Sequence, residues 1–305
     1  MNTFTDRNHQ GAALQDDGAA VISARGLRKA YKNKLALDGT TFQIHSSRIV
    51  GLIGPNGAGK TTALKAILGL IPFEGDLNVL GRDPRTERDS LMNDVCFIAD
   101  VAVLPRWMRV REAIEFVAGV HPRFDRGRCE RFLAGTQLKP QMRVRELSKG
   151  MIVQLHLALV MAIDARLLVL DEPTLGLDIV YRKAFYDSLL NDYFDHSRTI
   201  VVSTHQVEEI QYILTDVAFI DRGKIVLDCS MEDFEARYAE VMVNPERRDA
   251  ALALKPIQER QAFGRSIFLF DRVDRDKLAA LGDVRTPSLG DLFVAMMGET
   301  QGAAA

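Results

Sequence analysis

The run Ile49-Val50-Gly51-Leu52-Ile53, followed at once by Gly54-Pro55-Asn56-Gly57-Ala58-Gly59-Lys60-Thr61-Thr62, constrains this 305-residue chain more than any other feature. An apolar strand enters a loop spaced G-x-x-x-x-G-K-T. Glycines accept positive φ and let backbone N–H groups close around an anion. Lys60 supplies a point charge for the outer phosphates, and the Thr61 hydroxyl is a ligand suited to Mg²⁺. A helix is expected from Thr61 to Leu70, its positive dipole end aimed at the same anion. Residues 54–62 are therefore expected to hold a nucleoside triphosphate with Mg²⁺, with Gly54, Pro55, Asn56, Gly57, Ala58, Gly59, Lys60, Thr61 and Thr62 as the cradle.

Such a loop needs a carboxylate for the metal and a group that activates water. Leu167-Leu168-Val169-Leu170-Asp171-Glu172 offers both. Adjacent acids at the end of a buried strand are costly unless a cation lies beside them. Asp171 is assigned to Mg²⁺ and Glu172 to the attacking water.

The remaining pattern alternates strands and helices, which implies an α/β layer with a largely parallel sheet. Residues 21–42 read as short antiparallel strands, and Val95–Ala99, Arg166–Leu170 and Thr199–Val202 as buried strands. Residues 105–145 are helical, with breaks at Pro122 and Pro140. Ser148 caps a helix to Ile163 with Ile152, Leu155, Leu159 and Val160 on one face. Further helices are expected at Ala184–Tyr193, Val207–Leu214 and Met231–Ala239, and a hairpin turns at Asp221-Arg222-Gly223-Lys224. The division expected is a disordered 1–20, a nucleotide-binding domain at 21–228 with a helical subdomain near 100–163, an α+β accessory domain at 229–298, and a tail at 299–305. The last domain closes on the capped helix Ser288–Met297.

Net charge is −2 and the pI about 6.3, so no basic field points to nucleic acid. Cys96, Cys129 and Cys229 are widely spaced and read as small apolar fillers. The polar N-terminus has no signal-peptide core, and no apolar run reaches the roughly 18 residues of a membrane helix. Any membrane role is expected to come through a partner.

Four further motifs join the two already described. Leu147-Ser148-Lys149-Gly150-Met151 resembles the LSGGQ signature of ABC-type ATPases. Pro173-Thr174-Leu175-Gly176-Leu177-Asp178 resembles their D-loop, His205 after Ser203-Thr204 their switch histidine, and Tyr31 the aromatic that stacks on adenine. The order and spacing agree over about residues 21–230. The chain thus resembles the ATP-binding subunit of an ABC transporter, and its terminal SLGDLFVAMMG is similar to the end of ABC-2-type export ATPases. The resemblance implies a P-loop fold of mixed sheet, antiparallel β subdomain and helical subdomain, with ATP and Mg²⁺ as cofactors. It implies catalytic roles for Lys60, Glu172 and His205. It also implies a head-to-tail pair, with a second copy or a paralogous subunit, in which Ser148, Lys149 and Gly150 reach the partner's nucleotide and Asp178 lies at the interface. A separate permease would hold the chain at the cytoplasmic face of the membrane, and no nucleic acid is expected.

Three departures stand out. Asp100 follows the strand where the family has glutamine, and is expected to approach Mg²⁺ as a third acid. Lys149 replaces a glycine and Met151 a glutamine. His156 is read as structural, and Trp107 with Arg109–Glu112 as a contact patch for the permease. Two other functions compete. A soluble ABC ATPase acting on nucleic acid or ribosomes is disfavoured by the single cassette and the lack of long coiled coils. A non-hydrolytic sensor is disfavoured by Glu172 and His205.

Overall fold

The structure is a computed structural model that describes residues 20–32, 34–98, 104–175, 179–195, 197–262 and 264–302. The expectations for Asp100, Asp178 and residues 1–19 lie outside the described residues. Along the chain come β1 (Ala20–Tyr31), β2 (Lys34–His45), β3 (Ile49–Ile53), α1 (Lys60–Ile67), β4 (Glu74–Val79), α2 (Arg88–Leu91) and β5 (Val95–Ile98). Next are α3 (Val110–Val120), α4 (Arg126–Ala134), α5 (Lys149–Met161), β6 (Leu167–Asp171), α6 (Ile179–Ser188), β7 (Thr199–Thr204), β8 (Asp216–Asp221) and β9 (Lys224–Ser230). The C-terminal part holds α7 (Met231–Arg237), β10 (Tyr238–Val243), α8 (Arg248–Leu252), β11 (Gln258–Ala262), β12 (Arg265–Asp271), α9 (Arg275–Ala279), β13 (Gly282–Arg285) and α10 (Leu289–Gly302).

The central sheet has the order β5-β6-β7-β3-β8-β9 and is parallel except for the β8–β9 hairpin. Every residue of β3, β6 and β7 is buried. That explains their unbroken apolar runs, since a strand covered on both faces has no polar alternation. The C-terminal ends of these three neighbours deliver Gly54, Asp171 and His205 to one edge, where ligands of open α/β sheets bind. A second sheet, β2-β1-β4, is antiparallel and lies over the hairpin turn. Gly223 in that turn donates to nothing in the second sheet but accepts there: its carbonyl takes the Asp38 N–H at 2.9 Å and the Thr40 hydroxyl at 2.5 Å.

Helix α5 differs from its expected one-faced pattern. Leu155, Leu157, Ala158, Leu159, Val160 and Met161 are all buried. The helix serves two cores: Leu155, Ala158 and Leu159 join α3 and α4, while Leu157, Val160 and Met161 pack under the central sheet. A helix wedged between layers is apolar all round. The helix expected over 207–214 is instead two 3₁₀ turns, Val207–Glu209 and Gln211–Ile213. Val207, Ile210 and Ile213 recur every third residue and all are buried, which fits three residues per turn rather than 3.6. The helix expected to run to Ala239 ends at Arg237, where β10 begins. Helix α6 starts at Ile179, earlier than expected, and continues into a π turn at Leu189–Tyr193.

The C-terminal residues form a third sheet, β11-β12-β10-β13, with its own core of Ala239, Val241, Val243, Phe268 and Phe270 on one face. The other face carries buried Glu240, bound by Arg260 at 2.5 Å and Arg285 at 2.9 Å. Helix α10 returns to the central sheet, where Leu289, Leu292 and Ala295 enter its core and Phe293 meets Phe219 edge-on at 5.3 Å. Cys96 and Cys129 are buried and Cys229 half-buried; burial pushes the first two thiols up to about 12 and the third to about 11, in keeping with filler roles.

Candidate nucleotide site

The loop after β3 is shaped by close approaches that no side chain could share. A Cβ at Gly54 would lie 2.3 Å from the Ile220 carbonyl oxygen. Gly59, at φ 117°, precedes α1 and its Cβ would lie 2.5 Å from the Ala36 carbonyl oxygen. No side chain caps α1, so its first N–H groups remain for a ligand. Lys60 is buried and folds back on the loop. Its Nζ donates to Gly54 O at 2.7 Å and Pro55 O at 3.4 Å, and lies 3.2 Å from Glu172 Oε1. The Ala58 N–H closes the turn onto Pro55 O at 3.1 Å.

Two acids face this loop. Asp171 is buried, with Oδ1 accepting from Thr61 Oγ1 at 3.1 Å and Ser203 Oγ at 2.6 Å. Glu172 sits at φ 48°, a left-handed conformation costly for a side-chain-bearing residue. It is held there by its own N–H, which donates to Ser203 O at 3.1 Å and Ser203 Oγ at 3.2 Å. Both Glu172 carboxylate oxygens lie 3.0 Å from His205 Nδ1. The strained backbone thus turns the carboxylate out of the strand, between Lys60 and His205.

A cavity of about 420 Å³ opens here, lined by Tyr31, Lys34, Ala36, Asn56, Gly57, Gly59, Lys60, Thr61, Thr62, Glu172, Leu175 and His205. Tyr31 forms an exposed rim, with Lys29 Nζ 5.2 Å from its ring centre. Residues expected from distant parts of the sequence therefore meet in one pocket. Ser148, Lys149 and Gly150 do not line it. Ser148 and Lys149 are exposed at the start of α5, where Ser148 Oγ accepts the Met151 N–H at 3.2 Å.

Sequence reasoning missed two contributors. Ser203 ties both acids together, and its only signal was its place two residues before His205. Lys34 adds a second cation to the wall, signalled only as a basic residue shortly after Tyr31. The hard oxygens of Thr61 and Asp171 fit Mg²⁺. Among the described residues no cluster of three or more His, Cys, Asp or Glu side chains could hold a metal alone. The donor set therefore suits an ion completed by phosphate oxygens and water, the usual coordination of nucleotide-bound Mg²⁺.

Comparison with known proteins agrees with this geometry. The family model described as ABC transporter matches residues 37–175. The chain is 28% identical over 306 residues to Nod factor export ATP-binding protein I of Cupriavidus pinatubonensis, covering 92% of this chain and 91% of that one. It is 29% identical to the daunorubicin resistance ATP-binding protein DrrA3 of Streptomyces coeruleorubidus, covering 78% of each. It is 32% identical over 213 residues to the rat ATP-binding cassette sub-family A member 2, of which it spans only 9%. A solved ATP-binding subunit of an ABC transporter superposes with a TM-score of 0.62 at 21% identity, covering 76% of this chain and 94% of that one.

Proposed function

The chain belongs to the ABC transporter ATP-binding family, and on that premise we propose that it hydrolyses ATP at the interface of a head-to-tail pair to drive a separate membrane-spanning permease, in the direction of export. The observation that carries the hydrolytic reading is Glu172, strained into place between Lys60 at 3.2 Å and His205 at 3.0 Å above the phosphate loop. In this reading Tyr31 stacks on adenine, and the loop N–H groups with Lys60 bind the phosphates. Thr61 and Asp171 hold Mg²⁺, which supplies charge neutralisation at the phosphates when bound. Glu172 accepts a proton from water positioned at the terminal phosphate, while His205 orients the Glu172 carboxylate. The Ser148–Gly150 tip of a second chain, or of a paralogous one, covers the exposed phosphate.

No described helix is long and apolar enough to cross a membrane. Two features support the coupling to a permease. Trp107, on the segment expected to touch a permease, is 67% exposed, whereas neighbouring Met108 is buried. A place at the cytoplasmic face follows from that coupling. Two of the relatives named above are called export and resistance proteins, and a net charge of −2 offers nucleic acid no overall basic field.

The test is Glu172→Gln. The variant should bind ATP, form a stable ATP-dependent dimer and lose roughly a hundredfold or more in turnover. Light scattering that shows only monomer with ATP, in the presence of the permease, would overturn the paired site.

A further inference from the structure

Residues 104–149, the run that holds α3 and α4, carry eleven Lys and Arg against five Asp and Glu. The remainder of the chain carries twenty-eight against thirty-six, so a protein of net charge −2 is divided into a basic block and an acidic body. The fold gathers the basic charge. The segment before α3 lies antiparallel to the segment before α5: Arg109 is bridged to Arg143, the Val144 N–H donates to Met108 O at 2.9 Å, and the Arg145 N–H donates to Arg106 O at 3.0 Å. Met108, Val110 and Val144 point inward and are buried, while Arg111 and Arg145 stand exposed. Glu112 and Glu146 are turned back to accept the backbone N–H groups of Arg109 and Arg143 at 2.8 and 2.9 Å. Beside this strip a cleft of about 300 Å³ opens between α3 and α4. Ile114, Leu133 and Leu138, all buried, form its floor, and Arg111 and Arg126 stand exposed among its lining residues. Asp125, the acid next to Arg126, faces Arg131 at 3.9 Å, and neither Arg111 nor Arg126 forms an ion pair among the described residues. Glu130 also lines the cleft, which leaves two guanidiniums against one carboxylate.

We propose that this cleft binds an anionic phospholipid of the membrane surface, with the phosphate held by Arg111 and Arg126 and the first acyl carbons over Ile114, Leu133 and Leu138. Guanidinium suits phosphate because its planar fork matches the oxygens. An apolar floor beneath unpaired cations fits an amphiphile with an anionic head. A uniformly charged polymer would leave that floor uncovered. The exposed cations of the strip add attraction to an anionic leaflet, and the acidic body is repelled by it, so the charge division also orients the chain. The inference rests on the place at the membrane proposed above and adds a contact that the permease does not supply. Trp107, at the other end of the strip, keeps its role as the patch for the permease.

The experiment is co-sedimentation of the full chain with phosphatidylcholine vesicles and with vesicles that contain about 30% phosphatidylglycerol. The anionic vesicles should bind about tenfold more tightly or better, and added salt should weaken them. Arg111→Glu combined with Arg126→Glu should lose at least about tenfold of that affinity. Where this pair fails to fold, Arg111→Gln with Arg126→Gln should lose about fivefold. Ala134→Glu places a carboxylate on the exposed edge of the cleft and should weaken binding as well. Arg265→Glu with Lys277→Glu makes the same charge change on exposed residues of the C-terminal sheet region and should bind as wild type. Equal binding to the two kinds of vesicle, an equal loss in the control pair, or full binding by Ala134→Glu would each overturn the proposal. Poly-glutamate that binds as tightly as the anionic vesicles, and loses affinity in the same variants, would assign the cleft to an acidic protein segment and overturn the lipid. The vesicles hold no permease, so a failure here leaves the coupling and the paired site standing, and those are tested separately by Glu172→Gln.

Discussion

The phosphate loop and the signature tip are built from the same parts and finish differently. Each joins a glycine and a hydroxyl to the N-terminus of a helix. At the loop, α1 starts from Gly59 without a side-chain cap, and its free N–H groups face a cavity walled by Tyr31, Lys60, Glu172 and His205. At the tip, α5 is capped by its own Ser148, and Ser148 and Lys149 stand exposed and line no part of that cavity. Local chemistry is therefore not what makes a site. The loop is completed by neighbouring strands of its own sheet, whereas the tip is completed by a second chain only in the paired reading proposed above.

The largest expected effect tests the complete side. Lys60→Ala should lower ATP affinity roughly a hundredfold or more, because it removes the buried cation that holds Gly54 O and faces Glu172. Calorimetric titration with an unchanged isotherm would refute the role given to the loop. The next probes the open side. Ser148→Arg should cut turnover roughly thirtyfold yet leave nucleotide affinity of the single chain intact. Equal losses in both would mean that the tip serves its own pocket, and the contrast would dissolve.

A third effect concerns the helix that carries the tip. His156 in α5 is half-buried, with its Nε2 atom buried and without a hydrogen bond among the described residues, and burial pushes its imidazole from 6.5 down to about 4. Above pH 6.5 both folded and unfolded forms are neutral and the residue is silent. Between 6.5 and 4 only the unfolded chain takes the proton, so stability falls with pH by about 1.4 kcal/mol per unit, or about 2 kcal/mol at pH 5. His156→Leu should remove that loss. Urea midpoints at pH 7.5 and pH 5 give the answer, and an equal fall in variant and wild type would exclude it. The smallest effect lies at the rim of the loop site. Tyr31→Ala should weaken ATP binding about fivefold while sparing inorganic triphosphate. Competition between the two ligands measures this, and equal weakening would remove Tyr31 from base recognition.

Short-range motifs in the sequence were enough to place the glycine loop after β3, both acids at the end of β6, His205 after β7, the Ser148 cap of α5 and the hairpin. Each depends on residue types within a few positions, such as the glycine spacing at 54–59 or the apolar run ending in Asp171. Helix 207–214 misled because three apolar residues at intervals of three suit an α-helix and a 3₁₀ turn alike until the backbone at Ile210 is seen. Helix α5 misled because a strip of leucines does not say how many layers will press against it.

By itself, then, the chain's residue order determined the glycine loop and the acids at the strand end, since those motifs are set by residue types a few positions apart. Tertiary structure alone decided that Ser203 would bridge Asp171 and Glu172, that Glu172 would sit strained at φ 48° against Lys60 and His205, and that Tyr181 would rest on Gly150. Those contacts join residues dozens of positions apart across packed strands and helices. Their distances are set by how whole layers stack, and no local periodicity encodes that.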